Sequence, residues 1–359
     1  MNILFTVGTL QSGGAERVVS ILANMLAEKG NEVEIVLNNY QSESAYFIKN
    51  NVKISNIHSK KILGKNFFHY CYQLRKKIKY EKYDVVISFL WANNIKTIIS
   101  SLGLKTPVIV SERINPYMAP SKKLMRGIRN LIYLLADGYV LQTQQMKEYF
   151  GRKVNRIGVV IANPIDTKRL PEYFVGERKK EIVAVNRLNE QKNIPMLIEA
   201  FDSISKKHPD YILNIYGEGT ERNYLEGLIN SLGLSEKIFL CGSKKNVLEL
   251  INDSSLFILS SNFEGMPNAL IEAMCLGLPC ISTDSPIGGS AMLIENKANG
   301  LLIPVGDKEA LINAINYMLE NPEKANEMGK NAINTREILA VDVIVTKWEN
   351  YIDKIISRS

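Results

Sequence analysis

The sequence predicts an α/β protein built from two doubly wound parallel sheets, each in a domain of its own. The chain has 359 residues, which is more than one ordinary hydrophobic core holds. Apolar runs of strand length alternate with segments of helical periodicity in two separate series. A polar stretch that follows Asn163 and Pro164 separates the two series and predicts a domain boundary near residue 165.

The first series begins with an apolar run at residues 3–7, a glycine turn, and an amphipathic helix at residues 15–29 that Gly30 ends. Continuous apolar runs are typical of parallel strands that are covered on both faces. Further strands are predicted at residues 33–37, 84–89, 108–111, 138–142 and 159–162.

The second series shows the same alternation. Strands are predicted at residues 182–185, 212–216, 238–241, 256–259 and 279–282. Helices are predicted at residues 196–206, 222–232, 247–251, 268–276, 308–320 and 342–356. Because ligands of doubly wound sheets bind outside the carboxyl ends of the strands, we expect the chemistry in a cleft between the two domains.

The charge is distributed unevenly. Residues 1–175 carry a net charge of +13 and the remainder −6. The segment from Ser44 to Tyr80 has nine basic residues and no acidic residue. The segment from Arg113 to Ala136 has five basic residues and no acidic residue. Such a field usually faces an anionic partner, and without a nucleic-acid motif this is expected to be a phosphate or an anionic membrane, not nucleic acid. A basic face that serves only solubility is the alternative.

Cysteine and histidine usage indicates neither a disulfide framework nor a metal. Cys71, Cys241, Cys275 and Cys280, with His58, His69 and His208, have no metal-ligand spacing, so we expect buried free thiols in a reducing compartment. No basic region precedes the first apolar run, which therefore predicts a strand and not a signal peptide. No apolar run approaches the roughly 18 residues that cross a bilayer. These observations predict a cytoplasmic protein.

The strongest local pattern lies at residues 262–272. A strand is predicted to end at Ser260, Glu264 follows in a loop, Pro267 suits the start of a helix, and Glu272 lies further along that helix. The start of a helix presents unpaired amides and a partial positive charge, which favour an anion. Two carboxylates close to a bound anion need hydroxyl groups that donate hydrogen bonds to them. A nucleotide sugar offers both the phosphate and the hydroxyl groups.

Two further segments follow predicted strands. Arg187 and Lys192 lie five residues apart after one strand and could clamp a diphosphate, neutralising the charge that develops as it departs. Gly13 and Gly14 follow the first strand, where a backbone without side chains could approach a ligand. Their spacing is not that of the dinucleotide-binding fingerprint, and plain architecture is the alternative.

In this order, the segments resemble the retaining glycosyltransferases of family 4, which have the two-domain GT-B fold. The matching features are S-G-G-A-E-R at residues 12–17, S-E-R at residues 111–113, R-x4-K at Arg187 and Lys192, Y-G-E-G at residues 216–219, and E-x7-E at Glu264 and Glu272. They extend over nearly the whole chain. The resemblance implies that residues 340–359 return to the first domain, residues 1–165, while residues 166–339 form the nucleotide-sugar domain.

The resemblance implies a role for each matching residue. Arg187 and Lys192 would hold the donor diphosphate, Glu264 would face the donor sugar, and these three would be the catalytic residues. Glu272 would accept from the ribose hydroxyls. The other donor contacts would come from Gly13, Gly14, Gly217, Cys241, Asn246, Val247, Gly265, Met266, Pro267, Asn268, Ala269 and Leu270.

The implied reaction transfers a hexose or N-acetylhexosamine (GalNAc, GlcNAc or Gal) from a UDP-sugar, without a metal or further cofactor. The acceptor would be a polyprenyl diphosphate-linked saccharide in bacterial O-antigen, capsule or glycoprotein oligosaccharide assembly. Acceptor contacts are assigned to Glu112, Arg113, Lys122 and Arg126. Many relatives have a histidine where Glu112 and Arg113 stand, so Arg113 would contact acceptor phosphate or only support its loop.

Basic residues also flank an apolar stretch between residues 122 and 135. Lys122, Lys123, Arg126 and Arg129 lie among leucines, isoleucines and a methionine, which predicts an interfacial helix. We expect this face to associate with the inner face of the cell membrane and to guide the lipid-linked acceptor.

Other interpretations remain open at this point. Glu272 could be an exposed helix residue, Arg187 and Lys192 a solvated loop, and Glu112 and Arg113 a simple pair. A GT-B UDP-sugar 2-epimerase is the alternative enzyme, although the histidines and acids that it normally brings are not apparent. A hydride-transferring dehydrogenase would need a dinucleotide fingerprint. A non-catalytic binder of nucleotide sugars would not need both acids and the clamp.

Overall fold

Contacts between residues divide the chain into two units. The computed structural model describes residues 1–11, 13–38, 44–57 and 66–358, so Ser12 and His58 lie outside the described residues. Unit 1 comprises Met1–Pro164 and Val341–Ser359, and unit 2 comprises Ile165–Ala340.

Unit 1 contains a seven-stranded parallel sheet. Its strands are β1 (Asn2–Val7), β2 (Glu32–Leu37), β3 (Val52–Asn56), β4 (Val85–Phe89), β5 (Val108–Ser111), β6 (Gly138–Leu141) and β7 (Val159–Val160). Its helices, in chain order, are α1 (Gly14–Glu28), α2 (Asn66–Glu81), α3 (Trp91–Ser101), α4 (Lys123–Tyr133), α5 (Gln144–Tyr149) and α6 (Arg152–Ile157). The strand order β3-β2-β1-β4-β5-β6-β7 reverses direction at β1, as in a doubly wound sheet.

Unit 2 contains a six-stranded parallel sheet of order β10-β9-β8-β11-β12-β13. Its strands are β8 (Lys179–Val185), β9 (Ile212–Tyr216), β10 (Ile238–Gly242), β11 (Ser254–Leu259), β12 (Cys280–Thr283) and β13 (Leu301–Ile303). Its helices are α7 (Ile194–Lys207), α8 (Arg222–Ser231), α9 (Val247–Ile251), α10 (Asn268–Cys275), α11 (Lys308–Glu320), α12 (Pro322–Ala332) and α13 (Thr335–Ile338).

The apolar runs of unit 2 are explained by burial on both faces of its sheet. Along β8, Ile182 and Ala184 belong to one buried cluster with residues of α7, α8 and α11. Val183 points to the opposite face and joins a second cluster with residues of α10. Side chains alternate between the faces of a strand, so a strand covered by helices on both sides needs an uninterrupted apolar sequence. The predicted fold class, two doubly wound parallel sheets, is confirmed.

The last helix, α14 (Val341–Ile356), packs in unit 1. Trp348 is fully buried and its ring stacks on Phe89 of β4, with ring centroids 5.8 Å apart. The Tyr351 hydroxyl accepts from the Tyr139 N–H and donates to the Ile157 carbonyl, both at 2.8 Å. The last helix of the chain thus covers strands of the first predicted series.

Several expectations at the level of single elements were wrong or incomplete. The strand predicted to end at Ser260 ends at Leu259, and the one predicted to reach residue 162 is only Val159–Val160. The edge strands β3 and β13 were not predicted, because one carries exposed polar residues and the other has three residues. Three cysteines are buried free thiols as expected, whereas Cys241 is half-buried.

Among the helices that the structure describes, none combines the length and apolar character that crossing a bilayer needs.

Candidate functional site

The carboxyl ends of β8 and β11 bring two of the predicted loops together in unit 2. These strands are neighbours in the sheet and pair in parallel. The loop after β8 begins at residue 186, and the loop after β11 begins at residue 260. Since neighbouring parallel strands end at the same edge of a sheet, the segment with Arg187 and Lys192 lies beside the segment with Glu264.

An ion pair joins these two loops. Lys192 Nζ lies 2.5 Å from Glu264 Oε1, and Ser261 Oγ donates to the same oxygen at 2.7 Å. Glu264 is only 6% exposed, so donors from both loops hold its carboxylate in one place. Two of the residues that the sequence predicted as catalytic are therefore in direct contact.

Hydrogen bonds also connect the backbones of the two loops. Gln191 Nε2 donates to the Phe263 carbonyl at 2.9 Å, and the Asn262 N–H donates to the Gln191 carbonyl at 2.8 Å. Ser260 Oγ donates to the Lys192 carbonyl, also at 2.9 Å. With these bonds the loops form one unit, and the position of Lys192 depends on residues about 70 positions further along the chain.

Arg187 has a different environment from Lys192. Its side chain is exposed, and within the described part of the chain it forms no ion pair. An exposed guanidinium at a strand end is free to form bidentate hydrogen bonds to a phosphate.

Helix α10 begins where the loop after β11 ends. Pro267 precedes its first residue, Asn268, and makes no side-chain hydrogen bond to this end of the helix. Glu272 lies in the second turn and is half-buried. Gly265 and Met266 connect Glu264 to Pro267, and Ala269 and Leu270 belong to the first turn of the helix. The positive end of a helix dipole thus follows directly on the loop that carries Glu264.

Gly217 has a packing reason to be glycine. It follows β9 with φ +136°, and a Cβ atom there would lie 1.7 Å from the Asn186 carbonyl oxygen. A side chain would therefore push the loop after β9 away from the loop that carries Arg187. Gly219 is constrained in the same way by the Leu188 carbonyl.

Three of the assigned donor contacts lie in or just after β10, on the edge of the same sheet. Cys241 is in that strand, and its Sγ approaches Asn214 Oδ1 at 3.7 Å. Asn246 and Val247 follow, respectively exposed and half-buried, at the start of the short helix α9. The strand order separates β10 from β8 by β9, so these residues lie two strands away from Arg187.

Gly13 and Gly14 lie in unit 1, at the start of α1. A Cβ atom on Gly13 would lie 2.1 Å from the carboxylate of Glu16, so a side chain here would require the end of the Glu16 side chain to move. The Gly13 N–H donates to the Tyr46 hydroxyl at 2.9 Å.

Glu112 and Arg113 are buried in unit 1, and each has its own partners. The Tyr133 hydroxyl donates to Glu112 Oε2 at 2.8 Å, and burial raises the pKa of this carboxyl. Arg113 Nη1 donates to Asn163 Oδ1 at 2.8 Å, and its Nε donates to Ser111 Oγ. Of the groups of Arg113, only the backbone N–H donates a hydrogen bond to the Glu112 carboxylate. The interpretation that the two side chains simply pair with each other is therefore wrong.

The Arg113 guanidinium also lies over two aromatic rings, 5.2 Å from the centroid of Phe89 and 5.7 Å from that of Trp348. These contacts connect the loop after β5 to β4 and α14. Arg113 is 8% exposed, which identifies it as part of the interior of unit 1.

Helix α4 corresponds to the predicted interfacial helix, but one of its cations was misassigned. Arg129 is fully buried and donates to the Pro116 carbonyl and the Tyr149 hydroxyl, both at 3.0 Å. Arg126 is half-buried and donates to the Pro120 carbonyl at 2.9 Å, while Lys122 is exposed before the helix. Arg129 is not a surface cation because the segment before α4 folds back over it. The carbonyl groups of that segment accept hydrogen bonds from the Arg129 guanidinium.

Two residues that support this arrangement, Asn193 and Gln191, were not predicted from the sequence. Asn193 adopts φ +47° and donates through Nδ2 to Asn262 Oδ1 at 3.2 Å, which joins the two loops of unit 2 once more. Asparagine tolerates the left-handed region better than most residues, and this tolerance was the signal for such a turn. Gln191 gave no local signal, because its partners lie in the other loop.

Comparisons with known protein families agree with this architecture. Residues 12–169 match the family described as Glycosyltransferase Family 4, and residues 167–335 match the family described as Glycosyl transferases group 1.

Similar proteins include enzymes of bacterial glycan assembly. A protein of Campylobacter jejuni subsp. jejuni serotype O:2, described as GalNAc-alpha-(1->4)-GalNAc-alpha-(1->3)-diNAcBac-PP-undecaprenol alpha-1,4-N-acetyl-D-galactosaminyltransferase, is 32% identical over 97% of each chain. The Escherichia coli UDP-Gal:alpha-D-GlcNAc-diphosphoundecaprenol alpha-1,3-galactosyltransferase is 31% identical, over 49% of this chain and 48% of that protein.

Solved structures match the fold over the full length. Anabaena Alr3699/HepE, solved in complex with UDP, superposes with a TM-score of 0.83 at 19% identity and covers 99% of this chain and 100% of that chain. From the two family matches and the full-length Campylobacter relative, the chain belongs to the family 4, or group 1, glycosyltransferases, with the GT-B fold and a hexosyltransferase activity.

Proposed function

We propose that this glycosyltransferase moves a hexose or N-acetylhexosamine (GalNAc, GlcNAc or Gal) from a UDP-sugar to a polyprenyl diphosphate-linked saccharide, with retained anomeric configuration. The product would serve bacterial O-antigen, capsule or glycoprotein oligosaccharide assembly. The observation that carries this proposal is the contact between Lys192 and Glu264, beside the exposed Arg187 and the start of α10.

In this proposal the donor diphosphate binds at that edge of the sheet in unit 2. Arg187 and Lys192 neutralise its charge, and the amides of Asn268, Ala269 and Leu270 receive the terminal phosphate at the start of the helix. Glu272, further along the same helix, accepts from the ribose hydroxyls. The base would lie against residues 241–247, at the edge strand β10.

The chemical step is proposed as a front-face displacement. The bond between the anomeric carbon and the departing phosphate oxygen breaks as the acceptor hydroxyl oxygen bonds to the same face of that carbon. The proton of this hydroxyl passes to the leaving diphosphate. The contribution of the protein is electrostatic, since cations placed where negative charge develops lower the barrier. The side-chain cations supply this neutralisation without a metal.

The ion pair between Lys192 and Glu264 gives each residue a further task. Glu264 orients the lysine ammonium while the site is empty, and two of the three lysine donors remain for phosphate oxygens. Once the diphosphate has bound, Glu264 is left to accept from a hydroxyl of the sugar. The same carboxylate would thus prepare the clamp and recognise the donor.

The similar proteins support the choice of substrates. The Anabaena protein has been solved with UDP and with UDP-glucose. The Campylobacter relative is named for an acceptor on undecaprenol diphosphate and for transfer of N-acetylgalactosamine.

An exposed apolar and basic face on α4 supports a membrane-bound acceptor. Leu124 and Leu131 are 76% and 68% exposed, and Lys122 and Lys123 are exposed at the start of the helix. Exposed leucines beside lysines favour insertion at the surface of an anionic bilayer. We propose that this cytoplasmic enzyme associates peripherally with the inner face of the membrane, with Lys122 and Arg126 near the acceptor diphosphate. Glu112 and Arg113 would support that acceptor loop from the interior.

The donor is tested with a panel of UDP-sugars. UDP-GalNAc, UDP-GlcNAc and UDP-Gal are compared by thermal unfolding and by transfer to an undecaprenyl diphosphate-linked saccharide, with the anomeric configuration of the product read by NMR. A ligand at 100 times its Kd stabilises the native state by about 2.7 kcal/mol. If no UDP-sugar raises the Tm or supports transfer, or if the product is inverted, the proposal fails.

The membrane surface is tested by vesicle co-sedimentation. The double variant Leu124→Ser, Leu131→Ser should lose most of its binding to vesicles that contain phosphatidylglycerol. The matched control Val175→Ser, Ile338→Ser replaces two exposed apolar residues of unit 2 and should bind as the wild type does. If the binding of the wild type to vesicles changed neither with the anionic lipid content nor with the salt concentration, this would count against the proposed surface.

A further inference from the structure

The loop that carries Glu264 has a second neighbour within unit 2, which is the segment that ends β12. Strands β11 and β12 are adjacent in the sheet and pair in parallel, with Leu259 opposite Ser282. Because neighbouring parallel strands end at the same edge of a sheet, residues 283–290 lie beside residues 260–265. The Glu264 loop is therefore placed between two others, the loop after β8 and the segment 283–290.

Thr283, the last residue of β12, contacts the Glu264 loop on the N-terminal side of the carboxylate. Its Oγ1 donates to the Ser261 carbonyl at 2.6 Å, and the residue is fully buried. Ser261 in turn donates through its own hydroxyl to Glu264 Oε1 at 2.7 Å. One residue thus connects the hydroxyl of Thr283 to the Glu264 carboxylate.

Gly289 contacts the same loop on the C-terminal side of the carboxylate. A Cβ atom on Gly289 would lie 1.8 Å from the Gly265 carbonyl oxygen and 3.2 Å from Met266 Cα. The obstructing atoms belong to the backbone, so a side chain at position 289 would push the Glu264 loop away. The two backbones touch only because this residue is glycine.

A tight turn brings Gly289 to this position. Ile287 has φ +82° and Gly288 has φ +72°, and a β-branched residue adopts a positive φ only where the surrounding structure imposes it. Ile287 is 2% exposed, so its side chain is enclosed in unit 2. After the turn, Ser290 Oγ accepts from Ser282 Oγ at 2.8 Å. The turn is thus fastened to β12 and held in one conformation.

We propose that Thr283 and Gly289 are positioning residues for Glu264. They hold the loop on both sides of this residue, so that its carboxylate stays where it accepts from a hydroxyl of the donor sugar. The inference rests on the proposed function, in which Glu264 faces that sugar. Both residues act through the loop and not by touching the substrate.

The effect of this support should be specific to the sugar part of the donor. A reacting or orienting group that is displaced by about 1 Å can cost about 10²-fold in rate even when its chemistry is intact. UDP carries no donor sugar for Glu264 to recognise, and in the proposed function Arg187 and the start of α10 hold its diphosphate. Displacing Glu264 should therefore weaken a UDP-sugar much more than UDP.

The test compares Gly289→Ala with the wild type by calorimetric titration, first with UDP and then with whichever of UDP-GalNAc, UDP-GlcNAc and UDP-Gal binds. We expect the Kd for the UDP-sugar to rise about tenfold and kcat to fall by about 10- to 100-fold, while the Kd for UDP stays within about twofold. Thr283→Val removes one hydroxyl with little change of shape and should lower kcat by about three- to tenfold.

Gly329→Ala is the matched control. A Cβ atom there would also meet a backbone carbonyl of unit 2, that of Gly277, at 2.3 Å. Gly277 lies beyond the last turn of α10, at the end of the helix away from Glu264. This variant should lose thermal stability, as Gly289→Ala does, and should keep the wild-type kcat and the wild-type ratio of the two Kd values.

A double-mutant cycle tests whether the support acts through Glu264. Glu264→Gln alone should raise the ratio of the Kd for the UDP-sugar to the Kd for UDP. Adding Gly289→Ala or Thr283→Val to Glu264→Gln should raise this ratio little further, because substitutions that act through one group are not additive. Equal factors with glutamate and with glutamine at position 264 would overturn the inference.

The remaining outcomes separate this inference from the proposed function. If the wild type binds UDP and a UDP-sugar, and both variants keep kcat and the ratio of Kd values within about twofold, the positioning role is wrong and the proposed function stands. If the wild type binds neither ligand, both are overturned. If Gly289→Ala does not fold, Thr283→Val decides. Equal losses of affinity for UDP and for the UDP-sugar would show a structural role only and would also overturn the inference.

Discussion

Arg113 of unit 1 and Arg187 of unit 2 both follow a strand of their sheet at the same distance, and their surroundings are opposite. Each lies two residues beyond the end of a parallel strand, after Ser111 of β5 and after Val185 of β8. Arg113 is buried, bonded to Ser111 and Asn163 and covered by two aromatic rings. Arg187 is exposed and has no ion pair among the described residues.

This difference indicates that the strand ends of the two units have different tasks. In unit 1 the charged groups hold elements together, including the last helix. In unit 2 the Arg187 guanidinium stays exposed, and the ion pair between Lys192 and Glu264 holds the two loops together with neutral hydrogen bonds from Gln191, Ser260 and Asn262. Position at the end of a strand therefore does not by itself make a residue functional.

The largest expected effect is the loss of turnover when Lys192 of unit 2 is replaced. Lys192→Ala should lower turnover by at least about 100-fold, because it removes a cation from the developing diphosphate charge. Circular dichroism should report a folded chain. Lys330→Ala, an exposed lysine on α12, is the control and should keep wild-type turnover. Near-normal activity of Lys192→Ala would contradict the assignment.

A second substitution tests whether Lys192 contributes to turnover beyond neutralising the charge of Glu264. In Lys192→Ala the buried Glu264 loses its cation, so some thermal stability should be lost. Adding Glu264→Gln removes the unpaired charge and should restore the Tm without restoring turnover. Recovery of turnover would show that Lys192 serves only to neutralise Glu264.

Replacing the two arginines should give the next largest effects. One substitution should change the Tm and the other the Kd for UDP. Arg113→Ala should lower the Tm by roughly 5–10 °C, because it empties a buried, hydrogen-bonded site and unpacks two rings. Arg187→Ala should leave the Tm within about 1 °C, since surface substitutions cost little, while the Kd for UDP rises. Equal Tm losses in the two variants would remove the contrast between the units.

A buried acid of unit 1 makes a pH-dependent contribution. Burial acts to raise the pKa of Glu34, but hydrogen bonds from Lys77, Ser55 and Tyr83 outweigh it and lower that pKa. Its stabilisation is therefore complete above the ordinary pKa of a glutamate and is lost as the pH falls through the lowered value.

Glu34→Gln tests this contribution. The variant should be less stable at neutral pH by about 1–3 kcal/mol and should lose less stability than the wild type on acidification. Thermal unfolding from neutral to acidic pH measures the difference between the two curves. Parallel curves would mean that the ion pair with Lys77 does not contribute.

The smallest effect concerns the turn at Asn193. Asn193→Ala should cost about 1–2 kcal/mol, because alanine is less tolerant of a positive φ and loses the hydrogen bond to Asn262. Asn193→Gly keeps the backbone conformation and should cost less. The order of the two Tm values distinguishes backbone strain from the lost hydrogen bond, and a more stable alanine variant would exclude both.

Local patterns in the sequence were sufficient for the buried strands of the two sheets and for the segments to which the donor contacts were assigned. Buried parallel strands require uninterrupted apolar runs, and helices require apolar residues at helical spacing, so both series could be read along the chain. The segments with Arg187, Lys192 and Glu264 follow such strands directly, which places them at one edge of a sheet before any side chain is positioned.

Tertiary structure alone decided what those side chains touch. The ion pair between Lys192 and Glu264 joins residues 72 positions apart, and the hydroxyl that fixes Gly13 comes from a segment after another strand. Arg129 could not be recognised as a buried residue, because a basic side chain on an amphipathic helix has the same sequence pattern whether it faces water or carbonyl groups. Contacts between segments distant in the chain have no period along it, and only the folded sheets bring their partners within hydrogen-bonding distance.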